Sequence, residues 1–373
     1  MGSLPAPAGL DARAENYESE LTREVAAIVG RQTAVGIDIV DDGELGKGHW
    51  LAYLDDRLGG FEKQPLAKGA RPLLMQGEDQ RAFPEFYAEA AERGTLFYSS
   101  GYLQASPSSG PTRAVCTGPL TYTGKRQIER DVRNLREALK STPAVEAFLP
   151  VVAPASIEPY RANQYYASEQ AFLYALADAL RVEYETIAAA GLLVQIDDAW
   201  TAALWDRIGI PMGLEAYKRR CLQRVEVLNH ALDRIAREQI RYHICWGSWH
   251  GPHAFDLSLA DIVDVVLAVK AGAYSFEAAN ARHEHEHNVW AHIRLPPDTI
   301  LIPGVVSHAT NVIEHPRLVA ERIERFARLV GRENVIAGTD CGFGGRIHPE
   351  LAWAKLGALV AGARLATEAL GYR

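Results

Sequence analysis

The sequence predicts a single (β/α)8 barrel, the TIM barrel of the α/β class, and three observations carry that expectation. Short apolar runs without polar alternation are separated by amphipathic helical stretches, the pattern of a parallel sheet covered by helices. Eight such runs are present, which favours a closed barrel over an open doubly wound sheet. No Gly-x-Gly-x-x-Gly fingerprint follows the first of them, so a dinucleotide fold gains no support.

In chain order the strand candidates are GSL (2–4), GIDIV (36–40), FLPVVAP (148–154) and LLVQID (192–197), followed by RYHICW (241–246), AYSFE (273–277), TILIPGVV (299–306) and VIAGTD (335–340). Helical periodicity fills the intervals at 11–32, 125–141, 168–190, 214–236 and 257–271, then again from Pro316 and from Pro349 to Ala366. Both prolines suit a first helical turn, where no backbone donor is needed. One domain spans 1–373, interrupted at roughly 47–122 by an irregular insertion near the barrel mouth. Within it FPEFYAEAAER (83–93) reads as a helix and SPSSGP (106–111) as turns. RAVCTGPLTY (113–122) reads as a strand and turn, an edge hairpin outside the main sheet.

Composition excludes several classes. A 48% hydrophobic chain of 373 residues can bury a sizeable core. No apolar run reaches membrane-spanning length, and no secretory leader is visible. Net charge is −8 with both signs interspersed, which offers nucleic acid no basic footprint. Four cysteines in a chain of this size make no disulfide scaffold, so a reducing, cytoplasmic setting is expected. Cys221 falls in a helical pattern and reads as a buried thiol.

Chemistry concentrates in the second half, where eleven of the twelve histidines lie. Polar residues also gather at strand C-terminal ends, which converge on one mouth in a barrel. His243 and Cys245 are two apart on one strand and share a face. Glu277 and Cys341 close two later strands. Imidazole, two thiolates and a carboxylate form a borderline-soft set suited to Zn2+. A zinc with two thiolates favours carrying a further thiol as a nucleophile over acting as a harsh Lewis acid. The rival metal tract is RHEHEH (282–287), with His283 and His287 four apart; a solvated charged rim is its plainer reading.

Other residues at the mouth suggest substrate contacts. Glu44, Asp197 and Asp198 close strands and suit an ammonium group, since buried carboxylates require partners. Gly2 and Ser3 can donate to a substrate carboxylate, and Trp200, Trp246 and Trp249 can form a stacking wall. His308, in GVVSHATN, is the candidate general acid for a leaving group.

Taken together, HIC (243–245), SFE (275–277), DCG (340–342), GSLP (2–5), DGE (42–44) and QIDDAW (195–200) resemble the catalytic half of cobalamin-independent methionine synthase. The wider family includes short core methionine synthases and epoxyalkane:coenzyme M transferases. The resemblance implies a (β/α)8 barrel holding zinc through His243, Cys245, Glu277 and Cys341. It also implies a homocysteine carboxylate at Gly2 and Ser3, and its amino group at Glu44 and Asp197. Asp197-Asp198-Ala199 stands where the family carries Asp-Glu-Pro.

The expected activity is thus zinc-dependent S-methylation of a small, homocysteine-like thiol by an alkyl donor. Two alternatives are thiol addition to an epoxide and a non-catalytic zinc-binding or methyl-carrier protein. Neither a membrane nor nucleic acid is an expected partner. A homo-oligomer, or a protein delivering the methyl donor, is compatible with the sequence.

Overall fold

The computed structural model describes residues 16–48, 51–65, 76–96, 112–142 and 144–371. Its strands are β1 (Ile39–Asp41), β2 (Leu58–Pro65), β3 (Thr112–Tyr122), β4 (Glu146–Val152), β5 (Arg161–Asn163), β6 (Leu193–Asp198), β7 (Ile240–Ile244), β8 (Ala273–Phe276), β9 (Ile300–Val306) and β10 (Gly338–Thr339). Seven form one curled sheet in the order β1-β4-β6-β7-β8-β9-β10, every neighbouring pair parallel. Helices bridge successive strands, and this explains the missing polar alternation: both faces of the sheet are covered. In β4, for example, every residue after Glu146 is buried. The expected first strand, GSL, lies outside the described residues.

The helices follow the predicted boundaries closely where their ends carry signals. One runs from Lys125 to Ser141. The Glu169–Ala189 helix is capped by Ser168, whose hydroxyl accepts the Ala171 N–H. Pro316 and Pro349 each open a helix, at Pro316–Val330 and Pro349–Ala369. Leu214–Ala231 stops short of the expected Ala236. No helix among the described residues is long and apolar enough to cross a membrane.

The segment expected to be irregular holds a second sheet. β2 pairs antiparallel with β3, and β3 pairs parallel with β5. β3 covers the segment read at 113–122, but as one unbroken strand at the centre of this sheet and not as an edge hairpin, and β2 was not foreseen. Its sequence, LGGFEKQP, is half-exposed and carries two glycines, so neither alternation nor branched side chains announce it. A buried ion cluster fastens this sheet to the barrel helices: Arg57 reaches both Glu183 and Asp131 at 2.5 Å. The FPEFYAEAAER helix is present at Pro84–Arg93.

Register decides what the sheet presents inward. Asp197 is level with His243, and His243 with Ser275. One two-residue step deeper, Gln195, Arg241 and Ala273 form the next rung. Residues of one rung share a face, so these two rows line a common interior.

Candidate metal centre and its cavity

The inner face of β7 aims His243 at the mouth, and Cys245 follows in the turn just past the strand. Cys341 comes two residues beyond β10. The three donor atoms lie within 4.8 Å of one another and all three residues are buried. The Cys245 thiol donates to Cys341 Sγ across 3.7 Å. Ser248 Oγ lies 3.6 Å from Cys245 Sγ and 3.5 Å from Cys341 Sγ, and the Gly247 N–H points at Cys245 Sγ. His243 Nδ1 sits 3.1 Å from Ser275 Oγ, an interaction that fixes the ring.

The donor chemistry fits zinc. In a tetrahedral site with Zn–S bonds of about 2.3 Å, two thiolates sit roughly 3.8 Å apart, close to the separation present here. Electrostatics point the same way. The hydrogen bond from Cys245, with the charge of His243, holds the Cys341 thiol well below its ordinary range, while that same bond and burial push Cys245 well above. Burial opposes charge on His243, but its bond to Cys341, with Asp197 and Glu277 nearby, raises it to about 9. The triad thus stabilises a thiolate–imidazolium pair, a charge pattern that a dication can replace by displacing protons.

Glu277 does not fall in this triad. It groups instead with His308 and Asp340, again within 4.8 Å and buried. Its Oε1 accepts the Trp246 N–H at 2.9 Å and its Oε2 accepts from Asn280 Nδ2 at 2.7 Å. Burial, then the Asp340 charge, raise its carboxyl to about 7. Asp340 accepts the N–H groups of Ala278 and Ala279, both at 2.8 Å, and so ties the turn after β8 to the strand end bearing Cys341. His308 is wholly enclosed, and burial, then Arg346, hold its imidazole well below the ordinary range. Among the described residues its Nδ1 has no hydrogen-bond partner. It therefore rests uncharged, so the expected general acid must first take up a proton.

A cavity of about 830 Å³ opens beside the triad, lined among others by Glu44, Asp197, Gln195, Arg241 and Ser275. Asp197 accepts from Gln195 Nε2 at 3.0 Å, and burial raises its pKa. Glu44 has a left-handed backbone (φ 55°) and already has a buried partner, Lys47 Nζ at 3.5 Å.

Three expected wall residues face elsewhere. Asp198 follows Asp197 on β6, so the pleat sends it to the opposite face. There its carboxylate is saturated, accepting from Ser156 Oγ, the N–H groups of Trp200 and Thr201, Thr201 Oγ1 and Tyr242 Oη. Trp246, next to Cys245, is turned away likewise; its Nε1 donates to Leu257 O and its ring lies against His283. Trp200 is buried beside Tyr160 and Arg207, outside the cavity lining. Gly2 and Ser3 lie outside the described residues.

The RHEHEH tract forms no metal group among the described residues, and it is a solvated rim only in part: Arg282 and His285 are exposed, whereas His283 and Glu286 are buried. His283 is 3% exposed and clamped between Asp256 Oδ2 (3.1 Å) and Glu286 Oε2 (2.8 Å). Sequence reading missed Arg241, Lys47 and Ser275. Arg241 was legible, standing two residues before His243 on the same strand face.

Several known proteins are similar to this chain in sequence or in fold. A family model described as the catalytic domain of cobalamin-independent synthase matches residues 154–365. The methionine synthase of Thermococcus kodakarensis is 22% identical over 94% of this chain and 84% of its own length. The 2-hydroxypropyl-CoM lyase of Xanthobacter autotrophicus is also 22% identical, over 93% and 85%. A B12-independent methionine synthase from Shewanella sp. W3-18-1, solved with selenomethionine, superposes with a TM-score of 0.70 at 18% identity, covering 99% of this chain and 97% of that one. At that identity the likeness concerns the fold.

Proposed function

This chain belongs to the cobalamin-independent synthase family, through its catalytic domain, and on that premise we propose that it is a zinc-dependent alkyltransferase that S-methylates a small, homocysteine-like thiol. The observation carrying this reading is the His243–Cys245–Cys341 triad at the edge of a cavity that also presents Asp197. We further take the seven parallel strands as part of a (β/α)8 barrel that forms a single domain with its inserted sheet.

Zinc held by His243, Cys245 and Cys341, with Glu277 as a fourth ligand if it turns from the Trp246 and Asn280 donors that it meets here, would lower the pKa of an incoming thiol while leaving its sulfur nucleophilic. Asp197, which forms no ion pair among the described residues, receives the substrate ammonium. Glu44 is the weaker candidate because Lys47 already neutralises it. His308, uncharged as held, accepts the proton that the thiol loses and returns it to the leaving group. Burial of the triad keeps water from competing with the thiol.

A second reading, thiol addition to an epoxide, is favoured by one observation: Arg241 lines the same cavity and suits an anionic thiol. Zinc-edge absorption spectroscopy with homocysteine and with 2-mercaptoethanesulfonate separates the two. Homocysteine should add a sulfur to the coordination shell, and turnover should follow with methyl-folate or methylcobalamin but not with epoxides. An unchanged edge with every thiol would leave a closed structural zinc and end the catalytic reading.

A further inference from the structure

The triad thiols differ from the other two cysteines in the kind of group that surrounds them. Cys116 and Cys221 each donate to a carbonyl, Gly118 O at 3.3 Å and Thr201 O at 3.9 Å, a setting that keeps a thiol protonated. Cys245 and Cys341 instead meet donors. The buried Ser248 hydroxyl stands 3.6 Å from the first sulfur and 3.5 Å from the second, and the Gly247 N–H reaches Cys245 at 3.2 Å. A metal-bound thiolate carries no proton, so at a loaded centre the hydroxyl is the donor to either sulfur. Among the described residues it has no other partner.

The local chain returns that hydroxyl to the sulfurs. Gly247 has a left-handed backbone (φ 107°), and a Cβ there would lie 1.8 Å from the Trp249 ring. The turn thus folds Ser248 back over the thiol three residues earlier. Cys245 and Cys341 both line the cavity, whereas Gly247 and Ser248 lie outside its lining. A thiol entering through the cavity therefore meets neither donor. This matters because the two cysteines and the incoming thiol are all sulfur nucleophiles around one centre. An alkyl group placed on either cysteine would turn a ligand into a thioether. A hydrogen bond withdraws charge from a thiolate, and sulfur nucleophilicity falls with basicity.

We propose that Ser248 is a positioning residue of the metal centre, its hydroxyl shielding both protein thiolates so that alkyl transfer falls on the substrate sulfur and not on Cys245 or Cys341. This rests on the thiol-transfer reading above and adds to it the choice among the sulfurs.

The test is methylation of the zinc-loaded protein by methyl iodide without added thiol, followed at each cysteine by peptide mass spectrometry. In each event a sulfur lone pair forms the S–CH3 bond while the C–I bond breaks, and iodide leaves with that bonding pair. A hydrogen bond to a charged group changes its proton affinity by about 10–100-fold. A nucleophilic slope of about 0.4–0.5 converts this into roughly 3–10-fold in rate. Ser248→Ala should accelerate methylation of Cys341 by that factor and of Cys245 by less, because the Gly247 N–H remains. Cys116 and Cys221 should not change. No acceleration at Cys341 overturns the proposal. So does an equal rise at all four cysteines, the mark of a loosened fold, or loss of zinc from the variant before methyl iodide is added.

Cobalt substitution supplies a spectroscopic reading of the same bond. The thiolate-to-cobalt charge-transfer band should move to longer wavelength in Ser248→Ala and return in Ser248→Thr, which keeps the hydroxyl; an unmoved band in Ser248→Ala counts against the shield. The unaltered protein is a further arm that no folding defect can touch: Cys341 should be methylated before Cys245, and the opposite order overturns the proposal. A zinc edge indifferent to homocysteine, alongside Ser248-dependent protection of Cys341, would keep the shield and discard the thiol-transfer reading. A sulfur added at the edge, with methylation indifferent to Ser248, would do the reverse.

Discussion

The Sγ atoms of Cys245 and Cys341 lie 3.7 Å apart although 96 positions separate them in the chain. Buried thiols held this close, with an imidazole beside them, could hold a metal ion. Cys341→Ser and His243→Ala should each lower zinc content well below one equivalent and reduce turnover by more than about 100-fold. Elemental analysis of reduced protein and steady-state assays check this. Cys221→Ser is the control, since that thiol is buried in a helix away from the triad. Full zinc and activity in Cys341→Ser would sink the centre.

Gly304 on β9 lets the Cys341-bearing segment approach. A Cβ placed there would lie 2.5 Å from Asp340 Cα and 2.6 Å from its N, contacts with backbone that cannot rotate away. Gly304→Ala should therefore displace Asp340 and Cys341, weaken zinc retention by at least about 10-fold and slow turnover, with helical content preserved. Zinc competition against a chromogenic chelator, with circular dichroism, provides the readout. Unchanged zinc affinity would show that β10 can shift without moving Cys341.

Adjacent aspartates on β6 should separate by phenotype. Asp197→Asn should raise KM for an amino thiol by roughly 10-fold or more with little effect on stability, because the amide oxygen can still accept from Gln195 while the charge that meets the ammonium is lost. Asp198→Ala should do the opposite, costing about 2–4 kcal/mol by orphaning Ser156, Thr201 and Tyr242. Urea unfolding and steady-state kinetics on both variants decide it. A KM defect in a stable Asp198→Ala protein would return that residue to the substrate site.

The His283 clamp carries a pH signature. Burial opposes its charge, but hydrogen bonds to Asp256 and Glu286 raise its imidazole from 6.5 to about 10. A folded-state pKa raised in this way contributes stability that is complete below about pH 6.5 and is lost as pH climbs through about 10. His283→Gln should accordingly cost on the order of 2–4 kcal/mol at pH 6, with the gap to the unaltered protein narrowing steadily towards pH 10. Urea midpoints across that range test it, and a gap independent of pH would mean that His283 is held uncharged.

Much of the fold was legible because its signals are local. Apolar runs, Ser168 as a cap and prolines at first turns are set by neighbouring residues, and the Lys125–Ser141 helix could be bounded from periodicity alone. The inserted sheet was only half legible: β3 is apolar enough to declare itself, whereas β2 is held largely by its pairing with β3. In the site, spacing alone placed His243 and Cys245 on one face. The pleat that does so also sends Asp198 and Trp246 to the other side, an implication of alternation that motif matching passes over.

What the sequence determined by itself was the alternation of strands and helices, the residue types capable of binding a soft metal, and the family to which they belong. Tertiary structure decided which of them meet. It brought Cys341 to Cys245, set Glu277 with His308 and Asp340, neutralised Glu44 with Lys47 and enclosed His283. The division has a physical reason. Helix ends and strand periodicity depend on contacts a few residues apart, whereas charge pairing and coordination depend on register between strands, which is fixed only when the whole sheet assembles.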